Sequence, residues 1–202
     1  MKMVFATASV LAMGVSGVLA GGIDRSGQDI GIIFEDGGYI ELSFGVVTPS
    51  VSGTVGGGAV SSGNMAPSYT QTSFGIKQEI SETLSFALIL DHPFGANVDY
   101  PGVFGDPYPF AGTTAEITSG AVTALGRYKI GDRISVHGGA RYQTMSGAAS
   151  TPPLDGYVLD ASRAGRFRLI ARAAYQNPEV SFRVAVTYTP ATHHPLNNPE
   201  AP

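Results

Sequence analysis

The chain has no cysteine. That removes any disulfide framework and any thiolate metal site. Charge is also scarce. Only 14% of residues are Asp, Glu, Lys or Arg, and the formal balance is −4, which argues against a nucleic-acid partner. Outside the N-terminus no run of about 18 apolar residues occurs, so no bilayer-spanning helix is expected. Catalytic signatures are missing as well. There is no Gly-x-Ser-x-Gly elbow, and nothing in the spacing of Ser43, Ser85, Asp91 and His137 requires a triad. Gly56-Gly57-Gly58 does not follow a strand and open a helix, so it is not a phosphate cradle. His193 and His194 are adjacent, so in an extended chain they point apart. His92 and His137 add no ligand cluster. No metal, no cofactor and no enzymatic chemistry is expected.

What is present is alternation. Between Arg133 and Ser146, Ile134, Val136, Gly138, Ala140 and Tyr142 fall on one face, and Ser135, His137, Gly139, Arg141 and Gln143 on the other. From Gly165 to Gln176, Phe167, Leu169, Ala171, Ala173 and Tyr175 oppose Arg166, Arg168, Arg172 and Gln176. From Val180 to Thr189, Val180, Phe182, Val184, Val186 and Tyr188 oppose Ser181, Arg183, Thr187 and Thr189. Side chains alternate across a strand, so each segment has one apolar and one polar face. These runs reach roughly ten residues, the length of a tilted membrane-crossing strand, where a typical strand has about five or six. Their polar faces carry arginine, which a soluble core would not bury unpaired. An outward apolar band around a polar interior is the pattern of an outer-membrane barrel.

Four more strands are expected upstream. They are Tyr39 to Thr48, Tyr69 to Ile80, Thr83 to Asp91 and the weakly alternating Thr114 to Lys129, which brings the count to seven. The connections alternate in length. Ser50 to Pro67, His92 to Thr113 and Ser146 to Ala164 read as long loops, whereas Ser81-Glu82, Gly131-Asp132 and Asn177-Pro178-Glu179 read as short turns. Barrels with short periplasmic turns and long external loops show this rhythm. The fold expected is all-β, an antiparallel transmembrane barrel over residues 39–189.

The ends read differently. Lys2, an apolar stretch from Met3 to Leu19 and the small-residue site Val18-Leu19-Ala20 form a signal peptide over residues 1–20, with cleavage before Gly21. Residues 21–38 read as a short irregular lead-in. Residues 190–202 read as an unstructured tail, with Pro190, Pro195, Pro199 and Pro202.

Several runs resemble a known family. Asp91-His92-Pro93-Phe94-Gly95-Ala96-Asn97-Val98-Asp99-Tyr100, then Thr114-Ala115-Glu116-Ile117, then Ser135-Val136-His137-Gly138-Gly139-Ala140-Arg141-Tyr142-Gln143 are similar to FadL/TodX-type outer-membrane transporters of long-chain fatty acids and other hydrophobic compounds. The likeness covers about Gly22 to Thr192. It implies a fourteen-stranded barrel plugged by an N-terminal hatch. Substrate would be captured among the external loops and released through a lateral opening at a strand kink. Two features depart from the family. Its Asn-Pro-Ala hatch motif is absent, and only seven strands are present, here the N-terminal half. The Pro-rich tail favours a shortened reading frame over the alternative, a homodimer that closes one barrel from two chains.

On this reading Glu41, Lys77, Glu79, Arg141, Arg166, Arg168, Arg172 and Arg183 line the lumen. The arginines either attract a carboxylate head group or pair with acids such as Glu41, Glu79 and Glu116. Phe94, Tyr100, Phe104, Tyr108 and Phe110 are candidates for an apolar capture groove, with packing within their loop or a place at the membrane interface as the alternatives. The partners expected are outer-membrane lipid, a hydrophobic small molecule and the barrel-assembly machinery. The competing reading is a structural or adhesive outer-membrane β-protein with no transport role.

Overall fold

The computed structural model describes residues 23–26, 30–177 and 182–188. The signal segment 1–20, the turn residues Pro178 and Glu179, and the tail 190–202 with His193 and His194 lie outside them. The architecture is all-β, and no α-helix occurs among the described residues. The strands are β1 (Tyr39–Val47), β2 (Thr54–Val55), β3 (Val60–Ser61), β4 (Tyr69–Glu79), β5 (Leu84–Asp91), β6 (Gly95–Asp99), β7 (Thr114–Ile130), β8 (Ile134–Thr151), β9 (Tyr157–Asn177) and β10 (Phe182–Tyr188). Seven of them form an antiparallel meander in the order β1-β4-β5-β7-β8-β9-β10, curved into half a barrel. Strand β6 pairs with β7, and β2 and β3 form a separate small hairpin.

Burial along these strands is the reverse of a soluble sheet. Large apolar residues on one face are exposed: Leu42 is 79%, Phe167 78%, Leu169 72% and Val186 70% accessible. Lys77, Asp91, Thr123, Arg127, Ser135, His137, Arg141 and Gln143 are buried. Strand alternation places the two sets on opposite faces, with the polar set on the concave side.

The strands are also staggered. The row of paired residues that begins at Tyr39, the first residue of β1, passes through Lys77, Ala87, Leu125, Gly139 and Ile170. On β9 Ala171, the residue after Ile170, pairs with Tyr188, the last described residue of β10. A row that climbs steadily from strand to strand is what strand tilt in a barrel produces.

The lead-in corrects an expectation. It is more than irregular, because it packs the concave face. A 3-10 turn over Gly31–Phe34 buries Ile32 and Ile33. With Ile30 they form a core with Ala87, Ile89, Leu125 and Ile170 of the sheet. Full burial of such side chains is worth about 1.5–3 kcal/mol each. The sheet makes room with Gly75, where a Cβ would come within 2.6 Å of Ile32 Cδ1. The Lys77 ammonium ties the end of the turn by donating to the carbonyls of Glu35 and Gly37, both at 2.8 Å.

Two loops are corrected as well. The segment expected as a loop from Ser146 to Ala164 is mostly strand, because β8 runs on to Thr151 and β9 starts at Tyr157. Small residues such as Gly147, Ala148 and Ala149 hide the alternation, and the register shifts between Met145 and Gly147. The Ser50–Pro67 segment is ordered by the β2–β3 hairpin, in which Ser62 Oγ accepts from the Gly53 amide at 2.8 Å.

Candidate functional site

The site begins where the wall is interrupted. Strand β5 pairs with β4 from Ser85 to Leu90 and with β7 from Leu84 to Asp91. It then stops. Pro93, which cannot donate to a ladder, sits in the break, and the chain resumes as β6 against Thr114–Thr118 of β7. The upper part of β4, Tyr69 to Ser73, is therefore paired with β1 but has no β5 partner.

Residues 23–26 cross this gap. Asp24 bridges to Phe94, and the Arg25 amide donates to the Pro93 carbonyl at 2.8 Å. Gln71 donates to the Arg25 carbonyl, and the Arg25 guanidinium lies 3.8 Å from the Tyr69 ring centre. Gly95 lets that guanidinium approach closely, since a Cβ there would meet Arg25 Cζ at 2.5 Å.

Beneath the break lies a buried polar group. Arg141 Nη2 stands 3.0 Å from Asp91 Oδ2, and Arg141 Nε donates to Thr123 Oγ1 at 2.7 Å. Ser26 Oγ donates to Asp91 at 2.9 Å. The acid that Arg141 meets is thus Asp91, a residue outside the expected acid set. Glu79 instead pairs with Lys77 at 2.9 Å and Lys129 at 3.6 Å. Glu116 alternates onto the convex side, opposite to Ser119 and Thr123.

Two cavities meet at the break. The larger, about 450 Å³, lies on the convex side and is lined by Leu42, Phe74, Leu90, Gly120, Val122 and Tyr142 among others. The smaller, about 70 Å³, lies beside the inner turn against Ile32, Glu41, Gly75 and Ile89. Ser73, Phe74 and Asp91 line both.

The remaining expected lumen residues all alternate onto the concave face. Arg166 and Arg183 are exposed there, and Arg168 and Arg172 are half-buried. Ile170 and Ala174, buried between them on β9, give that face an apolar middle that the arginines obscure in the sequence. Phe34 organises this region. Its ring centre lies 4.1 Å from the Arg183 guanidinium, 5.1 Å from that of Arg127 and 4.7 Å from the His137 ring. Arg127 also donates to the Ile33 carbonyl at 3.3 Å and to Gln176. Sequence reading missed Arg127, because Ala124 and Gly126 blur the alternation of β7. The inward parity of Thr123 and Arg127 was the available signal.

The aromatic set divides. Tyr100, Tyr108 and Phe110 cluster, with ring centres 5.5 to 6.2 Å apart. Phe104 sits on an exposed loop tip. Phe94 is at the wall break, where its amide donates to Ser119 Oγ at 2.8 Å. Among the described residues no group of three or more His, Asp or Glu could hold a metal ion.

No protein family matches the chain, and no curated protein does.

Proposed function

We propose that this chain forms the wall of an outer-membrane barrel that passes long-chain fatty acids or other hydrophobic molecules without chemistry. The observation that carries the reading is the inverted sheet. Large apolar residues cover its convex face, while lysine, arginine and aspartate are buried on its concave face. Water disfavours that arrangement, whereas hydrocarbon around a polar interior favours it. The signal segment supports export to that membrane.

The break at His92–Phe94 is the candidate for the lateral opening that the family resemblance implies. The two cavities that share Ser73, Phe74 and Asp91 supply a path from the inner turn to the outer skin. Arg168 and Arg172 supply positive charge for a carboxylate head group. The structural or adhesive reading draws on the turn that fills the middle of the concave face.

Fluorescent fatty-acid uptake by cells carrying the protein separates the two readings. Gly120→Phe fills the convex cavity, and the nearest atom to a Cβ there is Thr144 Oγ1 at 3.6 Å. The expected result is slower uptake with normal assembly. Uptake equal to that of cells lacking the protein removes the transport role. Native uptake in the Gly120→Phe variant moves the path elsewhere.

A further inference from the structure

We infer that the convex cavity binds a single-chain amphiphile whose head group donates a hydrogen bond, as an alcohol or an un-ionised carboxylic acid does, with its tail toward the short turns. The inference rests on the transmembrane reading above and adds the chemistry of the head group.

Register shows how the cavity is made. Leu42, Phe74, Leu90, Val122 and Tyr142 form one row of paired residues across β1, β4, β5, β7 and β8, and they line the part nearer the short turns. The next convex row toward the long loops holds Thr72 of β4, paired with Phe44, and Gly120 of β7, paired with Thr144. Between Thr72 and Gly120 the wall lacks a strand, because β5 has ended and the chain turns away at His92. Thr72, His92 and Thr144 line this upper part.

The two rows also mark the border of the apolar skin. On the convex face Phe74 of β4 gives way to Thr72 and Thr70, and Tyr142 of β8 to Thr144 and Ser146. Beyond Val122 and Gly120 on β7 come Thr118 and Glu116. In a bilayer the lower part of the cavity therefore meets hydrocarbon and the upper part meets head groups. The volume, about 450 Å³, suits a small-molecule site. A molecule apolar along its length and polar at one end matches both parts.

The upper part offers acceptors. His92 Nδ1 lies 3.3 Å from the Thr72 carbonyl oxygen. A carbonyl only accepts, so Nδ1 carries the hydrogen and, in the neutral ring, Nε2 is an acceptor. Thr144 Oγ1 donates to the Gly120 carbonyl at 3.3 Å, which commits its hydrogen and leaves its lone pairs. That oxygen stands over the glycine, 3.6 Å from where a Gly120 Cβ would lie. Asp91 also lines the cavity, and its carboxylate takes hydrogen bonds from Arg141 and Ser26. Among the described residues that line the cavity there is no lysine or arginine. An ionised carboxylate head would bring neither a hydrogen nor a charge that this surface can use. The two faces of the wall thus select opposite forms of one acid: the concave arginines take the anion, and the convex rim takes the neutral molecule.

The chain has no tryptophan, so an introduced one reports its own surroundings. Tyr142→Trp places an indole in the cavity wall, and Phe86→Trp places one on the exposed convex face outside it. Each variant, in phosphatidylcholine vesicles, is titrated with a long-chain alcohol brominated along its chain, with its methyl ether and with the matching carboxylate. The buffer is alkaline enough to keep the imidazole neutral and the carboxylate ionised. The alcohol is expected to quench Tyr142→Trp saturably, at a concentration about three- to ten-fold lower than the ether or the carboxylate requires. Phe86→Trp is expected to be quenched without saturation. His92→Phe, added to Tyr142→Trp, is expected to abolish the preference, and His92→Lys, whose ammonium only donates, to turn it toward the carboxylate. A preference that survives His92→Phe overturns the role of His92. With Phe86→Trp quenched, equal saturation by the three head groups, or none, overturns the site alone. Phe86→Trp left unquenched overturns the transmembrane reading and the site with it.

Discussion

Arg141 and Asp91 meet across two strands that are not neighbours. Asp91 ends β5 and Arg141 lies in β8, with Thr123 of β7 between them also bonded to the guanidinium. Both charged side chains are buried. Removing one partner of a buried pair strands the other charge, at about 3–5 kcal/mol, whereas apolar replacement of both is often neutral. Asp91→Ala is expected to lower the unfolding free energy of the lipid-embedded protein, read by urea titration, by that order. Asp91→Leu with Arg141→Met is expected to recover most of it.

The inner turn makes a packing prediction. Gly75 faces Ile32, whereas a Cβ added at Gly45 would meet nothing within 4 Å. Gly75→Val is expected to cost about 1–3 kcal/mol, the usual range for overpacking. Gly45→Val, on the same face, is expected to be tolerated. Thermal unfolding of the two variants checks the contrast.

The convex skin can be tested by polarity. Leu169→Arg places a charge on that face, at an expected cost of about 2–4 kcal/mol near mid-bilayer. Arg166→Ala, at an exposed concave position, is expected to change stability little. Refolding yield into lipid vesicles reports both. Equal yields for the two variants would remove the assignment of hydrocarbon to the convex side.

Phe34 should hold the turn in place. Its ring touches two guanidinium groups and an imidazole, and each cation–π contact is worth about 0.5–2 kcal/mol. Phe34→Ala is expected to speed hydrogen exchange of the amides in residues 30–35, leaving β7 and β8 protected. Local opening of this kind is what exchange reads.

The carboxylate role of the β9 arginines has its own check. Arg168→Ala and Arg172→Ala are each expected to slow fatty-acid uptake several-fold with normal assembly. Losing one charge-assisted hydrogen bond, about 1.5–3 kcal/mol, is enough for such a change. Unchanged uptake retires that role.

The seven strands of the meander, the alternation of most of them and the turns at Ser81-Glu82 and Gly131-Asp132 could be read in the sequence because period-two patterning is local. Phe167 and Leu169 against Arg166 and Arg168 announce two faces without any tertiary information. What stayed hidden depends on partners distant in the chain. Ile30, Ile32 and Ile33 sit in a glycine-rich stretch too short to show a period, and only the concave sheet gives them a core. Asp91 reads as the end of a strand until β8 brings Arg141 to it. The outer halves of β8 and β9 were lost because Gly147, Ala148 and Ala149 give neither face a character.

The place of the inner turn in the chain also sets an order of events. Residues 30–37 immediately precede β1, and their contacts with Gly75, Lys77, Ala87 and Ile89 need only the first three long strands. They close shorter loops than the contacts of the same turn with Leu125 and Ile170, so they cost less chain entropy to form. On the proposed barrel reading, the inner turn would thus be seated before the later strands bend round, and an assembling pore would at no stage stand open to leaking ions.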